Sequence, residues 1–192
     1  MQRIVIFASG SGSNAENMIT YFKHTQTAIV TQVFCNSKKA RVFDRCKRLE
    51  VPCTHFTRAD FTETNTVLDA VVAQADWVVL AGFLWKIPEK LIAAFPHKII
   101  NIHPALLPKY GGKGMYGMHV HQAVKDNKET ETGITIHLVN EHYDDGAILF
   151  QATTVVLPAD TSDAIAAKIH VLEQTHFPRV VEETFQKTAI DG

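Results

Sequence analysis

The chain has 192 residues, 46% hydrophobic and 20% charged, which is ordinary globular make-up and enough for one substantial domain or two small lobes on a shared sheet. A formal net charge of −1 leaves no general basic field to gather nucleic acid or an anionic membrane, so any phosphate has to be held locally. Cys35, Cys46 and Cys53 are odd in number and lack metal-type spacing, the N-terminal apolar run is too short for a signal sequence, and nothing approaches the ~20 apolar residues of a membrane span; a reduced, cytoplasmic setting fits.

Residues 4–8 read as a buried strand that ends in Ser9-Gly10-Ser11-Gly12-Ser13-Asn14, followed by a helix over 15–24. Residues 29–35 form a second strand, with Val30, Val33 and Phe34 as its β-branched and aromatic bulk. A helix over 39–49, a short strand over 52–56 and a helix over 62–74 come next, the last with Val67, Ala70 and Val71 on its apolar face. Residues 77–80 are a continuous apolar strand, a helix follows Pro88, and 99–102 is a further strand. Alternating strands and helices require crossover connections, hence an α/β fold: a Rossmann-like, mostly parallel twisted sheet with helices on both faces.

After Pro104 the texture changes. Residues 109–118 hold Gly111, Gly112, Gly114 and Gly117, a flexible loop, and 119–127 reads as a helix. Strands over 132–139 and 147–157, joined by a turn at 142–146, add an antiparallel extension. A last helix starts at about 161, with Asp160 or Thr161 as its N-cap, and Pro178 is expected to kink or interrupt it.

Two segments carry chemistry. The glycine loop lies between a strand and a helix, where free N–H groups and the positive end of the helix dipole make an anion site. It has neither the GxGxxG spacing nor the Walker lysine, so it reads equally as a tight turn. Its place at the carboxyl end of a strand tips the reading toward phosphate. In Asn101-Ile102-His103-Pro104 an amide and an imidazole two residues apart share one face of a strand. Such a pair can hold a developing oxyanion and manage a proton, though His103 packed beneath Pro104 and Asn101 capping a turn is the plainer alternative. The acidic turn Tyr143-Asp144-Asp145-Gly146 is explicable as a turn alone; brought beside His103, its carboxylate would orient the imidazole for proton transfer. Together Asn101, His103 and Asp144 suit acyl transfer to an amine.

The order of the glycine loop, Leu80-Ala81-Gly82-Phe83, the run from Asn101 through Pro108-Lys109-Tyr110, Gly133 to His137, and Asp144 with Gly146 resembles the phosphoribosylglycinamide formyltransferases, within the formyltransferase superfamily, over essentially the whole chain. The resemblance implies formyl transfer from 10-formyltetrahydrofolate, as co-substrate and without a metal, to the amino group of glycinamide ribonucleotide in purine biosynthesis. It implies Asn101, His103 and Asp144 as catalytic residues; Gly12, Ser13, Asn14, His170 and Glu173 at the substrate's phosphoribosyl end; and Leu84, Trp85, Lys86, Ile87, Val139, Asn140 and Asp144 at the folate. It further implies a single domain over 1–192, with 1–100 as the nucleotide-binding half and 101–192 as the catalytic and folate-binding half. The partners are small molecules, not nucleic acid or membrane, and the protein is a monomer or homodimer.

The chain departs from that pattern in places. The run Phe61-Thr62-Glu63-Thr64 lacks the arginine that often follows the start of the third helix, Trp85 stands where relatives carry arginine, His170 replaces Lys or Gln, and the 111–117 loop is long. Lys86 and Lys98 are candidate replacements for the missing charge. His119 and His121, two apart on a helix, project about 200° from one another and do not share a metal. His137 is either near the site or a core histidine, Trp77 is core, and Trp85 is a lid or packing. Three rivals stand beside the transferase: a hydrolase of the formyl donor, expected to carry an additional N-terminal domain; a formyltransferase acting on initiator tRNA, expected to carry an additional C-terminal domain and a basic surface; and a non-catalytic nucleotide-binding module.

Overall fold

A computed structural model describes residues 1–190. Seven strands form one sheet in the order β3-β2-β1-β4-β5-β6-β7, with β1 Gln2–Ala8, β2 Ala28–Cys35, β3 Cys53–His55, β4 Trp77–Leu80, β5 Ile99–His103, β6 Glu131–Leu138 and β7 Ile148–Val155. The first five pair in parallel, and β6 and β7 are added antiparallel. Both faces of the sheet are covered, which explains why β1 and β4 read as unbroken apolar runs. On one side Ile4, Ile6 and Ala8 pack with Trp77, Val79, Ile100 and Ile102 against α1 (Ser13–Thr25) and α7 (Ser162–Ile190). On the other side Val5, Phe7, Val78, Leu80 and Ile99 pack under α4 (Thr66–Gln74) and α5 (Glu89–Ala94).

The helix expected over 62–74 is two. Thr57 and Asp60 form a capping box that starts a short helix, α3 (Arg58–Thr62), four residues earlier than the apolar period indicates. The chain then breaks before α4, where the Thr64 hydroxyl takes the Thr66 N–H at 3.3 Å; side-chain hydroxyls compete with the helix ladder in this way. The helix expected from 39 begins only at Val42, as α2 (Val42–Arg48), and α6 covers Met118–Asp126.

Pro178 does not interrupt the last helix. α7 runs through it for 29 residues. The Gln174 carbonyl, one turn back and deprived of its N–H partner, instead accepts the Asn17 side-chain amide from α1 at 2.9 Å; neighbouring groups can restore a bond that proline removes. Of the two candidate caps, Thr161 acts, accepting the Ala164 N–H at 3.1 Å. Asp160 is taken by the Leu157 N–H and Lys168.

Strand order reverses about β1, which lies between β2 and β4. Ligands in open α/β sheets bind in the crevice at such a switch point, outside the carboxyl ends of the strands. The two loops that flank this crevice are tied to each other: Ser9 N–H donates to the Gly82 carbonyl at 3.2 Å, and Leu84 N–H donates to the Ser9 hydroxyl at 3.0 Å.

Candidate active site

A cleft of about 670 Å³ crosses this edge of the sheet, from the glycine loop, past Asn101, His103 and Asp144, to residues 84–87. At its first end Gly12 is left-handed (φ 74°), and a Cβ there would lie 2.5 Å from Val42 Cγ2. Only glycine lets the loop pass so close to α2. No side chain caps α1, so the main-chain N–H groups of its first turn are available to an anion. The Asn14 side chain is not available. It is buried, its Nδ2 donating to Glu173 Oε2 at 3.0 Å and its Oδ1 accepting from Gln174 Nε2 at 2.9 Å. Asn14 therefore meets an anion through its backbone and orients Glu173 through its amide. Burial pushes the Glu173 carboxyl above its ordinary range, opposed by the Asn14 amide and by His170, whose Nδ1 lies 3.6 Å from Oε2.

In the middle, antiparallel pairing sets Asn101 opposite His137 and His103 opposite Thr135. The His137 Nδ1 lies 2.8 Å from the Leu138 carbonyl, so it carries the proton, and Nε2 is left to accept the Asn101 amide at 3.1 Å. Burial holds the His137 imidazole below its usual range, favouring this neutral form over the opposing pull of the Leu138 carbonyl and Asp144. His103 is set the other way. Its Nε2 lies 2.7 Å from the Tyr110 carbonyl and is the donor, which turns Nδ1 toward Asp144 Oδ2 at 3.7 Å. Asp144 stands between the two imidazoles, with Oδ1 3.7 Å from His137 Nε2, and Oδ2 accepts the Gly112 N–H at 2.8 Å. That bond ties the 111–117 loop to the Asp144 carboxylate. Asp144 is itself left-handed (φ 53°), and a Cβ on Gly146 would lie 1.7 Å from the Leu138 carbonyl, so the turn that delivers the carboxylate depends on glycine two residues on.

At the far end Leu84 and Lys86 are exposed, and Ile87 lines the cleft while buried in the α4–α5 core. Asn140 takes the His142 N–H at 2.9 Å and, with Val139, forms the opposite wall. Trp85 is packing as well as wall: it meets Phe56 edge-on at 5.8 Å and also touches Phe61 and Phe83. No arginine follows Phe61, and the cation beside this wall comes from the start of α3. Arg58 holds its guanidinium 5.4 Å over the Trp85 ring, and across the cleft Lys86 Nζ lies 5.8 Å above Tyr143. Lys98 is not among the cleft residues.

His121 also lines the cleft, a residue that the sequence points to only as a rejected metal ligand. It is buried beside Val120 and Val124 on α6, its Nδ1 has no partner, and burial and then the neighbouring His103 hold it below its usual range. His119 is exposed against Tyr116, so the two histidines do face apart. Among the described residues no three His, Cys, Asp or Glu side chains are grouped to hold a metal ion, and no helix is long and apolar enough to cross a membrane.

The family model for formyl transferase matches residues 2–181. Phosphoribosylglycinamide formyltransferase of Bacillus subtilis (strain 168) is 31% identical over 189 residues, covering 95% of this chain and 94% of that protein. The chloroplastic phosphoribosylglycinamide formyltransferase of Vigna unguiculata is 37% identical over 187 residues; the match covers 94% of this chain, which spans only 60% of that relative's length. Among solved structures, the phosphoribosylglycinamide formyltransferase of Bacillus halodurans superimposes with a TM-score of 0.87 at 30% identity, covering 97% of both chains. With the strand order, the switch-point cleft and the Asn101–His103–Asp144 grouping already in place, these matches make the chain a member of the formyl transferase family.

Proposed function

We propose that this protein transfers a formyl group from 10-formyltetrahydrofolate to the amino group of glycinamide ribonucleotide, a step of purine biosynthesis. The observation that carries the reading is the convergence of Asn101, His103 and Asp144 at the middle of one cleft that has an anion-binding helix start at one end and an open loop wall at the other. In this reading the phosphoribosyl group lies against the main chain of Gly12, Ser13 and Asn14, with Glu173 and His170 beside it. The folate lies between Leu84, Trp85, Lys86 and Ile87 on one wall and Val139 and Asn140 on the other, and Arg58 and Lys86 supply cations for its anionic tail. The cysteines, all free, fit a reducing compartment such as the cytoplasm.

The amine attacks the formyl carbon, and its carbonyl oxygen becomes an oxyanion. Asn101 gives one N–H to His137 and has a second for that oxygen. His103, protonated at Nδ1, gives another donor. Fixed donors aimed at charge that develops only in the transition state are the largest single contribution in such chemistry. Asp144 takes the proton leaving the amine, directly or through water, and faces His103 Nδ1 at 3.7 Å. The carbon–N10 bond then breaks, and N10 receives the proton.

The test is tetrahydrofolate release from 10-formyltetrahydrofolate with and without glycinamide ribonucleotide. Release that depends on the amine is expected. Release that ignores it would favour the hydrolase, and none at all the binding module. His103→Ala and Asp144→Ala should each lower kcat by roughly 10²–10⁴-fold, the usual loss for a proton-transfer or oxyanion group; near-normal turnover in either variant would remove that residue from the mechanism.

A further inference from the structure

We propose that Gln174 and Asn17 are positioning residues for the nucleotide end of the cleft, and that Pro178 exists in α7 to make their clamp possible. The inference rests on the reading that the glycine loop and Glu173 hold a phosphoribosyl group. Gln174 grips α1 twice. Its main-chain carbonyl, free because Pro178 has no N–H, accepts Asn17 Nδ2 at 2.9 Å, and its side chain donates to Asn14 Oδ1 at 2.9 Å. Asn14 in turn donates to Glu173 Oε2 at 3.0 Å. One residue of α7 therefore fixes both the helix that supplies the anion-binding N–H groups and the amide that aims the neighbouring carboxylate.

Holding the two helices together does not require this chain of bonds. Met18 and Phe22 of α1, with Phe177, Val181 and Phe185 of α7, are buried in one core, and Phe22 stacks on Phe185 at 6.2 Å between centroids. Apolar burial is non-directional, however, and does not by itself aim a carboxylate or an amide at a ligand. Glu173 and the N–H groups after Gly12 have to keep a fixed separation to share one ligand; Tyr21 also donates to Glu182 farther along the same two helices, but the bonds of Asn14, Asn17 and Gln174 are the ones that act beside Glu173. The polar clamp sets register where the core sets proximity.

The test uses Gln174→Met, which keeps length and loses the amide, together with Asn17→Ala in the wild-type and in the Pro178→Ala backgrounds. With glycinamide ribonucleotide and 10-formyltetrahydrofolate as substrates, Gln174→Met should raise KM for the amine roughly tenfold, the scale of a lost hydrogen bond in a charged network, with kcat and KM for the formyl donor changed by less than about twofold. Pro178→Ala returns an N–H to the Gln174 carbonyl in competition with Asn17, so this variant alone should raise KM for the amine, and adding Asn17→Ala to it should raise KM little further and leave Tm nearly unchanged. An unchanged KM in both Gln174→Met and the double variant would overturn the clamp. So would kcat, both KM values and Tm all worsening together, which marks a merely structural role. A wild type inactive with this amine would instead count against the proposed substrate. The clamp is then read from calorimetric binding of ribose 5-phosphate, where wild-type affinity no better than that of Gln174→Met overturns it.

Discussion

Two histidines at this site do opposite jobs because each has one nitrogen committed to a different carbonyl. The Leu138 carbonyl fixes the proton on His137 Nδ1, making Nε2 an acceptor for Asn101; the Tyr110 carbonyl fixes the proton on His103 Nε2, leaving Nδ1 turned toward Asp144. His137 should therefore act through Asn101. His137→Phe keeps a ring of similar size and removes the acceptor, so Asn101 is left to rotate. The expected result is a drop in kcat of about tenfold, well short of the loss in His103→Ala, with KM for the formyl donor nearly unchanged. A kcat equal to wild type would show that Asn101 is held by something else. At this scale the sequence disclosed what proximity along the chain discloses. Asn101 and His103 share a strand face by their spacing, and Asp144 stood out by its acidic turn before glycine. Gln174 and His121 gave no such signal: the partners of Gln174 on α1 are some 160 positions away, and a histidine beside two valines on a helix looks like core.

Among the elements, long apolar strands and the order of strand and helix were legible because burial on both faces of a sheet writes itself as unbroken hydrophobic runs. Helix boundaries were not. Thr57 with Asp60 is a start signal four residues long, easily passed over beside the longer apolar period of α4, and the break at Thr64 depends on hydroxyl bonds that leave no periodic trace. α3 carries Arg58, so this cap bears on the cleft wall as well as on stability. Thr57→Ala should cost about 1 kcal/mol, a typical value for an N-cap, lowering Tm by a few degrees, and should loosen the Arg58–Trp85 stack. If the stack helps hold the folate tail, KM for the formyl donor rises while KM for the amine stays put. A stability loss with both KM values unchanged would confine Arg58 to packing. Pro178 shows the converse error: a residue that normally ends a helix is accommodated because the adjacent helix offers a donor, a fact written on α1 and not near the proline.

For the molecule as a whole, the fold lines one cleft with five histidines, and burial favours the neutral form of two of them. Burial lowers both His121 and His137, so the folded state refuses protons that the unfolded chain accepts near the free value of about 6.5. Their contribution to stability is thus present above that pH and is lost as pH falls below it toward the folded values. Linkage limits the slope to about 1.4 kcal/mol per pH unit for each group. Glu173, raised by burial, works in the opposite direction, since the folded form takes its proton first and gains stability as pH falls through its folded value. Asp60, Asp76, Glu129 and Asp160 are all lowered by hydrogen-bonded partners, so they lose stability only below the ordinary carboxylate range of about 4. The windows are separate, and Tm measured by calorimetry should decline between about pH 7 and 5, before the paired carboxylates titrate. His121→Gln with His137→Gln, neutral amides of similar polarity, should flatten that decline and leave the fall below about pH 4 intact. A decline of the same steepness in the double variant would assign the acid sensitivity to other groups and show that neutrality at the cleft is no part of what holds the fold together.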